Sequence, residues 1–154
     1  MKRISWDELF IGVAKLVAKR SRDENTQVGA CIVRNNKILS TGYNGMPRTC
    51  DDFGLPTTRV GKWLETKYPY VVHAELNAIL NAPTTDLSNC KIYVTLFPCC
   101  ECAKAILQCG IKEIYYLENK YPNEDIYIAS KKMLELSNIK LTQLKDISNE
   151  IKNI

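Results

Sequence analysis

The chain has 154 residues, seven cysteines and a single histidine, His73. That length suits one domain able to bury its own core, and a composition 45% hydrophobic and 25% charged excludes disordered, collagen-like and coiled-coil classes. The formal charge of +4, from 21 basic and 17 acidic side chains spread along the sequence, lacks the basic blocks of a nucleic-acid arm and suits small anionic substrates at least as well as polynucleotides.

No apolar run approaches the roughly 18 residues of a membrane span. Asp7 and Glu8 fall where a signal peptide needs its apolar stretch, so a cytoplasmic location, or a nuclear one, is expected, with the cysteines reduced. An odd number of reduced cysteines points to metal or catalytic sites rather than disulfides. One histidine excludes every site that needs two, including H-E-x-x-H centres and Cys₂His₂ fingers.

Along the chain, Ser5-x-x-Glu8 reads as a capping box. Trp6, Leu9, Phe10, Val13, Leu16 and Val17 follow at helical spacing, predicting a first helix over residues 6–20. Val28–Val33 and Ile38–Tyr43 read as strands joined by the turn pair Asn35-Asn36. Residues 44–68, with Pro47, Pro56, Gly45, Gly54, Gly61, Asp51 and Asp52, read as a loop without a regular element. A second helix is expected to start near His73 and carry Leu76, Ile79 and Leu80. Lys91–Leu96 then reads as a strand, and Pro98 with Cys99–Cys109 as a helix that Gly110 ends. Ile111–Leu117 is another strand, Asp125–Leu136 a helix and Ile139–Leu144 a fifth strand, with residues 145–154 expected to form a frayed polar tail. Strands that alternate with helices after a hairpin imply an α/β sandwich with parallel pairs and ligands near the helix starts, all in one domain spanning 1–154.

The chemistry concentrates in His73-Ala74-Glu75 and Pro98-Cys99-Cys100-Glu101-Cys102. Cys99 and Cys102 are three apart, so at a helix start their sulfurs share a face and can hold one metal. Unpaired N–H groups and the partial positive charge of a helix N-terminus also favour thiolates there. His73 supplies a third ligand. Three protein ligands leave a fourth position for water, as in a catalytic rather than a structural zinc site. Glu75 is placed to carry protons between that water and a substrate. The pairing of H-x-E with P-C-x-x-C is the signature of zinc-dependent nucleobase deaminases.

In these motifs the sequence resembles the deoxycytidylate (dCMP) deaminases of the cytidine deaminase superfamily, from the first helix to at least Tyr121. The resemblance covers Asn25-Thr26-Gln27-Val28-Gly29-Ala30, Gly42-Tyr43-Asn44-Gly45-Met46-Pro47 and Lys67-Tyr68-Pro69-Tyr70. It continues through His73-Ala74-Glu75-Leu76-Asn77-Ala78-Ile79, Leu96-Phe97-Pro98-Cys99 and Glu101-Cys102-Ala103-Lys104. Cys100 departs from it, standing where relatives often carry asparagine.

The resemblance implies a three-layer α/β/α sandwich with a mixed five-stranded sheet. It also implies hydrolysis of dCMP to dUMP and ammonia, supplying thymidylate synthesis, with water activated at Zn²⁺ adding to C4 and Glu75 protonating N3 and then the departing amine. Asn25, Asn44, Ala74 and Tyr121 are the substrate contacts it suggests, Asn44 at the sugar 3′-hydroxyl and Asn25 and Tyr121 at the phosphate, with Arg22 or Lys120 supplying charge there. Regulation by dCTP as activator and dTTP as inhibitor, with Mg²⁺, is implied as well. Gly45, Asp51 and Asp52 mark the loop for it, and a homo-hexamer is the expected assembly.

Plainer readings stand beside these. Cys31, Cys90 and Cys109 read as packing. Cys50 would join a second zinc only with ligands this chain lacks. Tyr68 and Tyr70 either stack a base or anchor the loop. A polynucleotide or tRNA deaminase would use the same zinc chemistry but call for a basic track and stacking aromatics. A scaffold with structural zinc would need a fourth protein ligand, Cys100 or a distant cysteine.

Overall fold

The computed structural model describes residues 2–50 and 53–147. Asp51, Asp52 and the end of the expected polar tail lie outside the described residues. The elements run α1 (Trp6–Ala18), β1 (Gly29–Arg34), β2 (Lys37–Tyr43), α2 (Ala74–Asn81), β3 (Lys91–Leu96), α3 (Cys100–Gln108), β4 (Glu113–Glu118), α4 (Asp125–Leu136) and β5 (Lys140–Gln143). This is the order expected from the sequence. The loop before α2 holds one short 3₁₀ turn, Trp63–Glu65, which the proline and glycine content had masked.

The capping box forms as expected. Glu8 N–H donates to Ser5 Oγ at 3.1 Å, and Ser5 N–H donates to the Glu8 carboxylate at 2.5 Å. Asn35 and Asn36, with φ of 51° and 58°, turn the β1–β2 hairpin as left-handed residues, a conformation asparagine tolerates best after glycine. The five strands lie in the order β2-β1-β3-β4-β5. The pairs β1–β2 and β1–β3 are antiparallel, whereas β3–β4 and β4–β5 are parallel.

Alternation along the strands sends side chains to two cores. Ala30, Ile32, Ile92, Val94 and Ile114 face α2, α3 and α4 with Ala78, Ala103, Ile106 and Leu134. Cys31, Val33, Tyr93, Tyr115 and Leu117 face α1 with Phe10, Ile11 and Ala14. The result is the expected three-layer sandwich on a mixed sheet.

Two helices leave outside some of the large apolar residues that the sequence pattern assigned to their inner face. In α1 the buried residues are Phe10, Ile11, Ala14 and Ala18, while Trp6 and Leu16 are 56% and 59% exposed. In α2 they are Ala74, Glu75 and Ala78, while Leu80 is 70% exposed. The cause is a glycine under each helix. A Cβ on Gly29 would lie 1.9 Å from Ala14 O, and one on Gly42 would lie 2.3 Å from both Ala74 O and Ala78 N. Backbones that approach so closely admit only small side chains between them, so alanines stand over the two glycines, with Phe10 and Ile11 packed beside the contact in α1, and Leu16 and Leu80 are turned outward. For α2 this contact lies beside the chemistry, at Ala74 between His73 and Glu75.

Candidate active site

The helices α2 and α3 begin beside each other over the ends of β1 and β3. Their N-cap residues are His73 and Cys99, both extended, with ψ of 156° and 173°. Neither side chain caps its own helix, so both are available to a ligand. Cys99 Sγ lies 3.3 Å and Cys102 Sγ 3.5 Å from His73 Nδ1. Zinc held at about 2.3 Å by sulfur and about 2.0 to 2.1 Å by nitrogen in a tetrahedron places N and S about 3.6 Å apart. Both nitrogen–sulfur spacings are thus close to what tetrahedral zinc requires, and all three donor atoms lie within 4.8 Å of one another.

Glu75 completes the cluster, its carboxylate accepting from Cys102 Sγ at 3.5 Å. Two residues apart on a regular helix, His73 and Glu75 would diverge. They converge because His73 precedes the helix in extended conformation while Glu75 lies in its first turn. Glu75 is only 4% exposed.

The electrostatics of these four groups are those of a cation site. The Cys99 thiol is brought down to about 4, first by a hydrogen bond from Cys102, then by the His73 ring, against the opposing effect of burial. Cys102 is pushed up by that same neighbour, by burial and by Glu75. His73 is raised to about 9, chiefly by its contact with Cys99, which outweighs burial. Burial raises Glu75 as well, His73 offsetting part of the effect and the Cys99 charge adding to it. The cluster contains more acidic groups than it can ionise unaided. A divalent cation bound by His73, Cys99 and Cys102 supplies the balancing charge. Among the described residues this is the one group of three metal donors, so Cys50 gathers no second set.

A cavity of about 230 Å³ opens from Glu75, His73 and Cys99. Its far end is made by loops. Lys67 Nζ and Asp23 Oδ2 pair at 2.5 Å with side chains 8% and 6% exposed. Asp23 Oδ1 accepts from Asn25 N–H at 2.8 Å and Thr26 N–H at 3.0 Å. Burial alone would raise the Asp23 carboxyl, but Lys67 and these two N–H groups hold it below the usual carboxylate range. Arg59 reaches across from the long loop and donates from Nη2 to Thr26 Oγ1 at 2.9 Å. Between the two ends stands Asn44, which donates to Thr26 O at 2.9 Å and accepts from Val28 N–H at 2.8 Å.

Residues 4–118 match the family of the cytidine and deoxycytidylate deaminase zinc-binding region. The chain belongs to this family. It is 51% identical over 138 residues to the deoxycytidylate deaminases of Homo sapiens and Pongo abelii, covering 88% of this chain and 78% of each relative. The fold is also that of the dCMP deaminase of cyanophage S-TIM5, solved with dCMP and dUMP. That structure superposes with a TM-score of 0.73 at 24% identity, over 94% of this chain and all of the other.

Against this background the expected substrate contacts divide. Asn44, Ala74 and Tyr121 line the cavity, and so does Tyr68. One of the two N–H donors of the Asn44 amide remains for a ligand. Arg22 and Asn25 are exposed and outside the lining. Lys120 lines a second cavity of about 210 Å³ and pairs with Glu118 at 3.2 Å. Tyr70 anchors the loop instead of facing a base, its hydroxyl donating to Leu64 O at 2.9 Å. Gly45 bridges to Val72, tying the start of the long loop to the strand-like segment just before His73. Cys31 and Cys90 are buried packing residues, as expected, and Cys109 is half-buried.

Asp23, Arg59, Lys67, Glu124 and Tyr127 also line the cavity and were not expected from the sequence. Lys67 had a signal, since it opens the Lys67-Tyr68-Pro69-Tyr70 stretch. Arg59 had none.

Proposed function

We propose that this protein hydrolyses dCMP to dUMP and ammonia. The observation that carries the reading is the convergence of His73, Cys99 and Cys102 at zinc spacing, with buried Glu75 beside them at the head of a cavity of mononucleotide size. The identity of about half the residues with deoxycytidylate deaminases supports the choice of substrate.

His73, Cys99 and Cys102 would hold Zn²⁺, which when bound lowers the pKa of a coordinated water and so provides the nucleophile. Glu75 then serves as the proton carrier, accepting from water and giving to N3 and to the leaving amine. Burial suits it to this, because a carboxyl raised above its ordinary value exchanges protons nearer neutrality. Water adds at C4, the C4–N bond breaks, and ammonia leaves. Asn44 holds the sugar, with Ala74 and Tyr121 closing the cavity wall.

The same reading includes activation by dCTP and inhibition by dTTP with Mg²⁺, through the loop that carries Gly45, Asp51 and Asp52. It also includes a cytoplasmic homo-hexamer. Assembly is supported by apolar side chains that solvent meets in the long loop, Phe53, Val60, Trp63 and Leu64.

The test is ammonia release from cytidine, CMP, dCMP and dCTP, each with and without dCTP or dTTP as effector. Turnover of dCMP with a sigmoidal curve that dCTP straightens is the expected result. Deamination of tRNA or single-stranded DNA with free dCMP untouched would replace it with a polynucleotide enzyme. Light scattering reads the assembly.

A further inference from the structure

We infer that Arg59 is the residue that selects a 5′-phosphorylated nucleotide over the free nucleoside, a role that rests on the deaminase reading above. Three observations carry this. The first is order along the cavity wall. The reacting end is fixed by His73 and Glu75, Asn44 comes next because its neighbour Gly45 bridges to Val72 just before His73, then Thr26 through its carbonyl, and Arg59 through the Thr26 hydroxyl. A nucleotide with its base at Glu75 and its sugar at Asn44 therefore directs its phosphate to Arg59.

The second observation is charge. Among the described residues that line the cavity, Lys67 is committed to Asp23 in a buried pair. Arg59 forms an ion pair with none of the described carboxylates, and it spends one of five N–H donors on a neutral hydroxyl. A guanidinium offers the planar two-pronged geometry that phosphate oxygens accept, and its charge does not titrate away.

The third is support. The Lys67 N–H donates to Thr58 O at 2.9 Å, fixing the residue next to Arg59, while the Lys67 ammonium fixes Asp23, whose carboxylate orders Thr26. The buried pair thus sets the positions of both Arg59 and the hydroxyl it touches. Lys67 and Asp23 are positioning residues in this account.

The experiment compares Arg59→Gln and Arg59→Lys with the wild-type enzyme loaded with zinc, on dCMP and deoxycytidine. The preference for dCMP, as a ratio of kcat/KM values, is expected to fall roughly tenfold to hundredfold in R59Q, the range for a charge-assisted hydrogen bond. Most of the change should lie in KM. R59K, which keeps the charge without the fork, should fall between. A second reading is calorimetric binding of the product pair dUMP and deoxyuridine, where R59Q should weaken dUMP and narrow the difference. If wild-type protein turns over dCMP and R59Q keeps the full preference in both measurements, the assignment of Arg59 is overturned and the deaminase reading stands. If wild-type protein releases no ammonia from dCMP, the deaminase reading itself fails.

Discussion

The two ends of the cavity are built on opposite plans. At the reacting end, four side chains come from two helix starts, each placed by backbone that the sheet below holds rigidly. At the far end, Asp23 comes from the loop between α1 and β1, while Arg59 and Lys67 come from the long loop between β2 and α2, and the two loops are held together through Thr26 and the Lys67–Asp23 pair. The difference teaches where precision is needed. Metal donors must meet within tenths of an ångström, so they sit on regular elements; a flexible anionic tail can be met by longer side chains on loops.

The sharpest way to break the comparison is to remove the lone imidazole. His73→Ala should lose both zinc and turnover, because Cys99 and Cys102 alone do not make a catalytic site and the chain has no second histidine to substitute. Metal analysis of the purified variant checks this, and full zinc content would contradict the ligand assignment. Next in size is Glu75→Gln. Zinc should remain, while kcat falls by about 10³-fold or more, since both proton deliveries are lost from an otherwise intact site. Equal ammonia release from E75Q would remove Glu75 from its role.

The same contrast explains what could be read from the sequence. The reacting end was legible because its residues sit two and three apart in two short motifs, and each motif opens a helix whose capping and termination are local. The succession of strands and helices along the chain was legible for the same reason, through alternation and turn residues such as Asn35-Asn36. What escaped was whatever depends on distant approach. Nothing in α1 or α2 announces that Gly29 and Gly42 lie beneath them, so Phe10 was placed inward correctly while Leu16 and Leu80 drew attention that belonged to Ala14 and Ala78. Arg59 and Asp23 are joined only through Thr26 and Lys67, over separations that no local pattern reports. Arg22, Asn25 and Lys120 were closer to matched motifs but stand outside the cavity that holds Arg59.

At the loop end, Asp23→Asn strikes the mutual support. It leaves the Lys67 ammonium buried without its counter-charge, and loss of one partner of such a pair costs about 3 kcal/mol or more. Urea unfolding at pH 7 should show that loss. The pH dependence follows from the direction of the Asp23 shift. A carboxyl held lower in the folded than in the unfolded chain contributes stability above its unfolded value, near 3.9, and the contribution is lost as pH falls through the folded value. The gap between wild type and D23N should therefore be constant from pH 7 to about pH 5 and close below about pH 4. A gap that stayed open in acid would show that the ion pair was not its source.

The smallest effect is expected where the two plans could most easily be confused. Cys100 lies between two zinc ligands, and a structural site would recruit it as the fourth. It is half-buried at the first position of α3, and the donor group contains Cys99, Cys102 and His73 without it. Cysteine and asparagine have similar helix propensities, and the N–H groups of a first turn need no partner from that side chain. Cys100→Asn should therefore retain a full equivalent of zinc and change kcat no more than a few-fold. Metal content and dCMP turnover measured on the same preparation decide it. Loss of zinc from C100N would mean that the fourth position belongs to the protein, and the open coordination site on which the reaction depends would not exist.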